Sequence, residues 1–91
     1  MKKGSQNHNP RLRAVYLDVV EDQLRDNNPP ETCQTYERLR AEGFSEKDAK
    51  ILIASAIAVE TYEILKSKTP FNHERFVRNL NKLPNQSFED E

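Results

Sequence analysis

The 91-residue sequence predicts an all-α fold, a compact bundle of four helices with the third at its centre and flexible termini, and three observations predict it. Residues 51–59, Ile-Leu-Ile-Ala-Ser-Ala-Ile-Ala-Val, line up eight apolar side chains and one serine in a chain that is 32% charged. Helix start and stop signals recur at four places along the chain. Strand-like alternation and hairpin turns are missing throughout.

The apolar run decides the architecture. At about 100° per residue its side chains point in every direction around a helix, and a helix apolar on all sides has to be covered on all sides. The other three helices are therefore expected to wrap it, with a second copy of the chain supplying any cover they lack.

Helix one is expected over residues 10–26. Asn9 is placed to cap its first turn and Pro10 fits the first helical position. Leu12, Val15, Tyr16, Val19 and Val20 recur at helical spacing, with Leu17 and Leu24 at the edge of that face, before Asn27-Asn28-Pro29-Pro30 ends it. Helix two is expected over 30–42, showing Cys33, Tyr36 and Leu39 on one face and closed by Gly43, which tolerates a left-handed backbone. Helix three is expected over 46–68. Ser45 caps it, three residues before Asp48 in capping-box spacing, and Thr69-Pro70 stops it. Helix four is expected over 73–83, with Asn72 as cap and Phe71 five residues before Phe76, the spacing of a hydrophobic staple. Its apolar face is Phe76, Val77, Leu80 and Leu83, and Pro84 ends it. Loops of two to five residues favour antiparallel neighbours.

Around this helical domain of residues 9–84 the sequence places a basic, polar tail at 1–8 and an acidic tail at 85–91, both expected to be mobile. A single cysteine excludes an internal disulfide, and residues 1–9 lack the apolar stretch of a secretory signal, so the expected location is cytoplasmic. The nine-residue apolar run is about half a membrane span. A formal net charge of −1 provides no whole-molecule field toward nucleic acid or an anionic membrane.

The segments Asn9-Pro10-Arg11-Leu12-Arg13, Val20-Glu21-Asp22-Gln23-Leu24 and Asn28-Pro29-Pro30-Glu31, followed by the Gly43-Phe44 turn and Thr69-Pro70-Phe71, carry a resemblance. Together they resemble a family of small all-helical bacterial proteins classed as a domain of unknown function. Its members open Asn-Pro-x-Leu-His, place a second His four residues on, and reach a Pro-Pro turn. The likeness runs over residues 9–84. It implies an all-helical fold and, through the histidines and a Glu four residues further, a divalent-metal ligand set in the relatives. This chain departs from the pattern there. Arg13 and Leu17 stand at the early histidine positions, and Lys47 and Ile51 stand where further histidines are expected. Arginine keeps its proton and leucine has no donor atom, so of that stripe only Glu21 remains and the resemblance implies a lost site.

Candidate sites are few. Arg13 falls within the apolar arc of helix one, either paired with Glu21 over a cleft or laying its aliphatic stem on the core rim. Glu60 and Glu63 interrupt helix three and either face Arg or Lys from a neighbouring helix or join Glu21 in an oxygen-ligand cation site. His8, His73 and Cys33 have no chelating spacing, and no basic partner can be placed beside the thiol. Two glycines make no phosphate loop. The turn within Leu39–Ala56 is ordinary punctuation for a helical hairpin, since a DNA-recognition helix needs a polar basic face. Arg75, Arg78 and Lys82 gather on helix four as a candidate nucleic-acid contact.

The expectation is a non-catalytic module that works by contact with a protein partner or with itself, needing no cofactor. The runner-up is a degenerate relative of a metal-binding family with a residual site at Glu21 and Glu60. Weak nucleic-acid binding through helix four stands third.

Overall fold

The computed structural model describes residues 10–86 and 88. Four helices are found, α1 (Pro10–Asp26), α2 (Pro30–Ala41), α3 (Glu46–Ser67) and α4 (His73–Lys82), and no strand occurs among the described residues. Each of the last three ends one residue before its expected limit. His8, the Asn9 cap and the acids at 89–91 lie outside the described residues.

Local chemistry accounts for the boundaries. Pro29 and Pro30 open α2 at positions where a missing N–H costs nothing. At its other end the Phe44 amide donates to the Leu39 carbonyl at 3.1 Å and the Gly43 amide to the Arg40 carbonyl at 3.0 Å. With Gly43 at φ +105°, this is the paired-bond Schellman ending, and Phe44 folds back against the core. Ser45 accepts from the Asp48 amide at 3.0 Å and Asn72 from the Arg75 amide at 3.0 Å, so both expected caps form. The staple forms too, with the Phe71 and Phe76 ring centres 5.6 Å apart.

Helix α3 touches all three others and is the centre of the fold. Its 22 residues make a rod about 33 Å long, nearly the 35 Å longest dimension of the molecule. Within residues 51–59 nothing is exposed: Ile53, Ala54, Ala56 and Ile57 are buried and the other five are half-buried. Around it, α2 touches both α1 and α4, while α1 and α4 barely meet. Val20, Leu39, Phe76, Leu80 and Leu83 close the core against α3.

The faces of α2 and α1 depart from expectation. On α2 the buried positions are Thr32, Thr35 and Leu39, with Cys33 and Tyr36 only half-buried. The Thr32 hydroxyl donates to Gln23 Oε1 at 2.8 Å, which lets a polar residue sit inside the α1–α2 contact. On α1, Leu12 and Val15 are half or more exposed, because the first turns of the helix extend beyond the core.

Because an added Cβ at Gly43 would meet nothing within 4 Å, replacing Gly43 isolates the backbone cost. Gly43→Ala is expected to lower the unfolding free energy by roughly 1–2 kcal/mol in urea titration, purely from forcing an L-residue to a positive φ.

Candidate functional site

Beyond Val59 the pattern of α3 inverts. Glu60 and Glu63 are 2% and 1% exposed, whereas the apolar Tyr62 and Leu65 are 59% and 72% exposed. Residues two apart on a helix differ by about 200°, so once the two acids face inward Tyr62 and Leu65 must face out.

The acids face inward because α4 presents an arginine to them. Arg75 donates from Nε to Glu60 Oε1 and from Nη2 to Glu60 Oε2, each at 2.8 Å, a two-pronged ion pair with its guanidinium side chain 11% exposed. The Asn72 amide donates a third bond to Glu60 Oε2 at 2.9 Å. Asn72 thus has two tasks, its side chain capping α4 and its amide holding α3. Burial pushes the Glu60 carboxyl up, but the Arg75 hydrogen bonds, the Asn72 amide and the Arg75 charge outweigh it and hold it below the usual glutamate range.

Glu63 has no such reception. Its Oε2 is buried without a hydrogen-bond partner, and the nearest cation, Lys66 Nζ, stands 3.7 Å away. Lys66 is half-exposed and also lies 5.5 Å from the Tyr62 ring centre. The α3–α4 connection beside these residues forms an open groove of about 500 Å³ lined by Pro70, Phe71, His73 and Arg75 among others. Phe71, stapled to Phe76, still leaves half its surface to water. His73 Nε2 lies 3.4 Å from Glu31 Oε2, joining the start of α4 to that of α2.

The remaining sequence candidates are dispersed. Glu21 does not pair with Arg13: Lys50 donates to Glu21 Oε2 at 2.7 Å and to Glu46 Oε2 at 3.3 Å. Arg13 is exposed, as a rim residue would be. Glu21 and Glu60 do not converge, because Lys50 and Glu60 are separated by ten residues of α3, about 15 Å. No cluster of three metal-ligating side chains occurs among the described residues. The Cys33 thiol donates to the Leu24 carbonyl at 3.6 Å, a backbone contact of the α1–α2 corner. On α4, Arg75 is committed to Glu60, Arg78 is exposed and Lys82 half-buried. The basic character of Arg75 was legible in the sequence, but its structural role needed the position of Glu60.

Known protein families, curated proteins and solved structures contain no match to this chain. No helix of the described residues is long and apolar enough to cross a membrane.

Removing the partner of Glu60 and removing Glu63 itself are expected to act in opposite directions. Arg75→Met leaves Glu60 charged and buried, and is expected to cost roughly 3–5 kcal/mol in urea unfolding. The double change Glu60→Leu with Arg75→Met should recover most of that. Since the folded Glu60 is more acidic than the unfolded one, its contribution is complete above about pH 4.5 and is lost as pH falls through the lowered value. The double variant should lose that part of the acid sensitivity between pH 5 and pH 3, a window set by the ordinary glutamate value. Glu63→Met, by contrast, removes an unpartnered buried oxygen and is expected to raise stability by about 1 kcal/mol.

Proposed function

We propose that this protein is a non-catalytic helical module that works by contact with another protein, most simply with a second copy of itself. The observation that carries the reading is the outward set Tyr62, Leu65 and Phe71, 59%, 72% and 50% exposed within ten residues of chain at the end of α3 and the connection to α4. Large apolar side chains grouped on a surface are the usual mark of a docking site. Leu12 and Val15, 50% and 55% exposed on α1, add to the apolar surface left in water.

The energetics set the strength of such contact. Removing a large apolar side chain fully from water contributes roughly 1.5–3 kcal/mol, while association costs about 4–15 kcal/mol in lost freedom. Three partly exposed side chains offset only the lower end of that cost. The expected self-association is therefore weak, and a tighter complex needs a partner that also covers α1.

Glu60 is occupied with Arg75 and Lys50 with Glu21, which favours a structural use of charge. The family resemblance is carried as a second proposal. In it, the chain is a member whose ligand stripe has become an ion-pair edge, with Glu21 facing Lys50 in place of a metal.

Light scattering behind size exclusion tests the leading reading. The expected result is a mass rising from the 10.6 kDa of one chain toward twice that value at high micromolar concentration. The pair Tyr62→Ser and Leu65→Lys should return it to a monomer. Both side chains are exposed, so the unfolding free energy should change by less than about 0.5 kcal/mol. A wild-type monomer throughout the range removes the self-contact.

A further inference from the structure

Five residues of α3 line up as a seam. Ile51, Ser55, Ala58, Tyr62 and Leu65 follow one another at spacings of four, three, four and three, which places them along one side of a helix. Ile51, Ser55 and Ala58 are half-buried, and Tyr62 and Leu65 are exposed. At about 100° per residue, Glu60, held by Arg75 of α4, stands about 180° from the middle of this seam, and Lys50, held by Glu21 of α1, about 100° from it. The seam therefore faces the gap between α1 and α4. The chain beyond α4 crosses part of that gap as a strap, with Gln86 donating to Ser55 Oγ at 2.9 Å and Phe88 half-buried against the core.

The seam complements itself in reverse. The small residues Ser55 and Ala58 occupy its middle, and Ile51 and Leu65 stand at its ends, each seven residues from Ala58. An antiparallel copy of the seam, crossed at Ala58, sets Leu65 over the partner's Ile51 and Tyr62 over the partner's Ser55, with Ala58 against the partner's Ala58. A large side chain then meets a small one at Ser55, and the helices approach closely at Ala58. A parallel pair instead stacks Tyr62 on Tyr62 and Ser55 on Ser55. Charge agrees with the antiparallel choice. Asp48 and Lys66, both exposed, lie on the same edge, each about 60° from the middle of the seam and about 15 and 12 Å from Ala58 along the axis. A two-fold axis perpendicular to both helices keeps that edge on one side and brings Lys66 beside the partner's Asp48.

We infer that the occupant of this seam is the α3 of a second copy, docked antiparallel across Ala58. The inference rests on the self-contact proposed above and names the face and direction it uses. The second copy covers Ile51 and Ala58, which the other helices leave half-buried, together with the exposed Tyr62 and Leu65. At Ser55 the partner's Tyr62 takes the place of the exposed Gln86, whose amide returns to water.

Cysteine cross-linking of the full chain in a Cys33→Ser background tests the arrangement, at concentrations where light scattering shows the dimer. A disulfide needs Cα atoms within about 7 Å, which the seam provides for Ala58→Cys with its own copy. Leu65→Cys stands about 21 Å along the helix from its own copy, but opposite Ile51→Cys of a second variant. Under mild oxidation Ala58→Cys is expected to link to itself about tenfold faster than Leu65→Cys or Ile51→Cys alone. A mixture of the latter two should give the cross-linked heterodimer, and dilution below the dimer range should erase the preference. All three positions are half-buried or exposed, so the variants are expected to fold, which their Tm checks. A dimer without this pattern of cross-links overturns the seam and leaves the self-contact standing. A chain monomeric throughout the range removes both.

Discussion

Every packing arrangement in this protein answers to nine residues of α3 of which only Ser55 is polar. A rod of isoleucine, leucine, alanine and valine is unstable in water on any face, and a chain of this size has little surplus apolar surface with which to cover it. The solution is asymmetric. Helices α1, α2 and α4 cover most of the circumference, and the strap through Gln86 and Phe88 crosses part of the rest. The half-buried status of Ile51, Leu52, Ser55, Ala58 and Val59 records a cover that is complete on one flank and thin on the other.

A second constraint takes over where the apolar run stops. Glu60 fixes the rotation of the last turns of α3 because its two oxygens are saturated by Arg75 and the Asn72 amide. Once it is fixed, Glu63 is carried inward without a partner for one oxygen, and Tyr62 and Leu65 are carried outward. A well-satisfied buried pair thus sets the orientation of an unsatisfied acid and of an exposed apolar surface. The stable corner and the surface proposed for docking are consequences of the same ion pair. The side chains offered to a partner stand on a helix turn clamped to α4 at its base, which limits the ordering cost of docking.

Charge is used sparingly and locally. With a formal net charge near zero, the molecule has no long-range field of consequence. Its ions act at contact distance: Lys50 ties Glu21 of α1 and Glu46 while lying 5.9 Å from the Tyr36 ring centre, and Arg38 donates to the Leu80 and Leu83 carbonyls at the end of α4. Lys50 thereby joins α3 to α1, and Arg38 joins α2 to the end of α4.

Sequence by itself determined the helix count, the limits to within a residue, and the central place of α3. Those features rest on interactions within a few residues of chain: the Ser45 and Asn72 caps, the Gly43 ending, the Phe71–Phe76 staple and an apolar run too long to be a surface stripe. It also allowed for Glu60 meeting a basic residue from a neighbouring helix. Only the tertiary structure decided which one, because Arg75 lies fifteen residues away across a reversal of direction that spacing alone cannot orient. For the same reason the inward turn of Glu63, the exposure of Tyr62 and Leu65, the pairing of Glu21 with Lys50 and the burial of Thr32 were not legible beforehand. Helical periodicity tells which side chains share a face, but which face is buried is set by what the other helices bring to it.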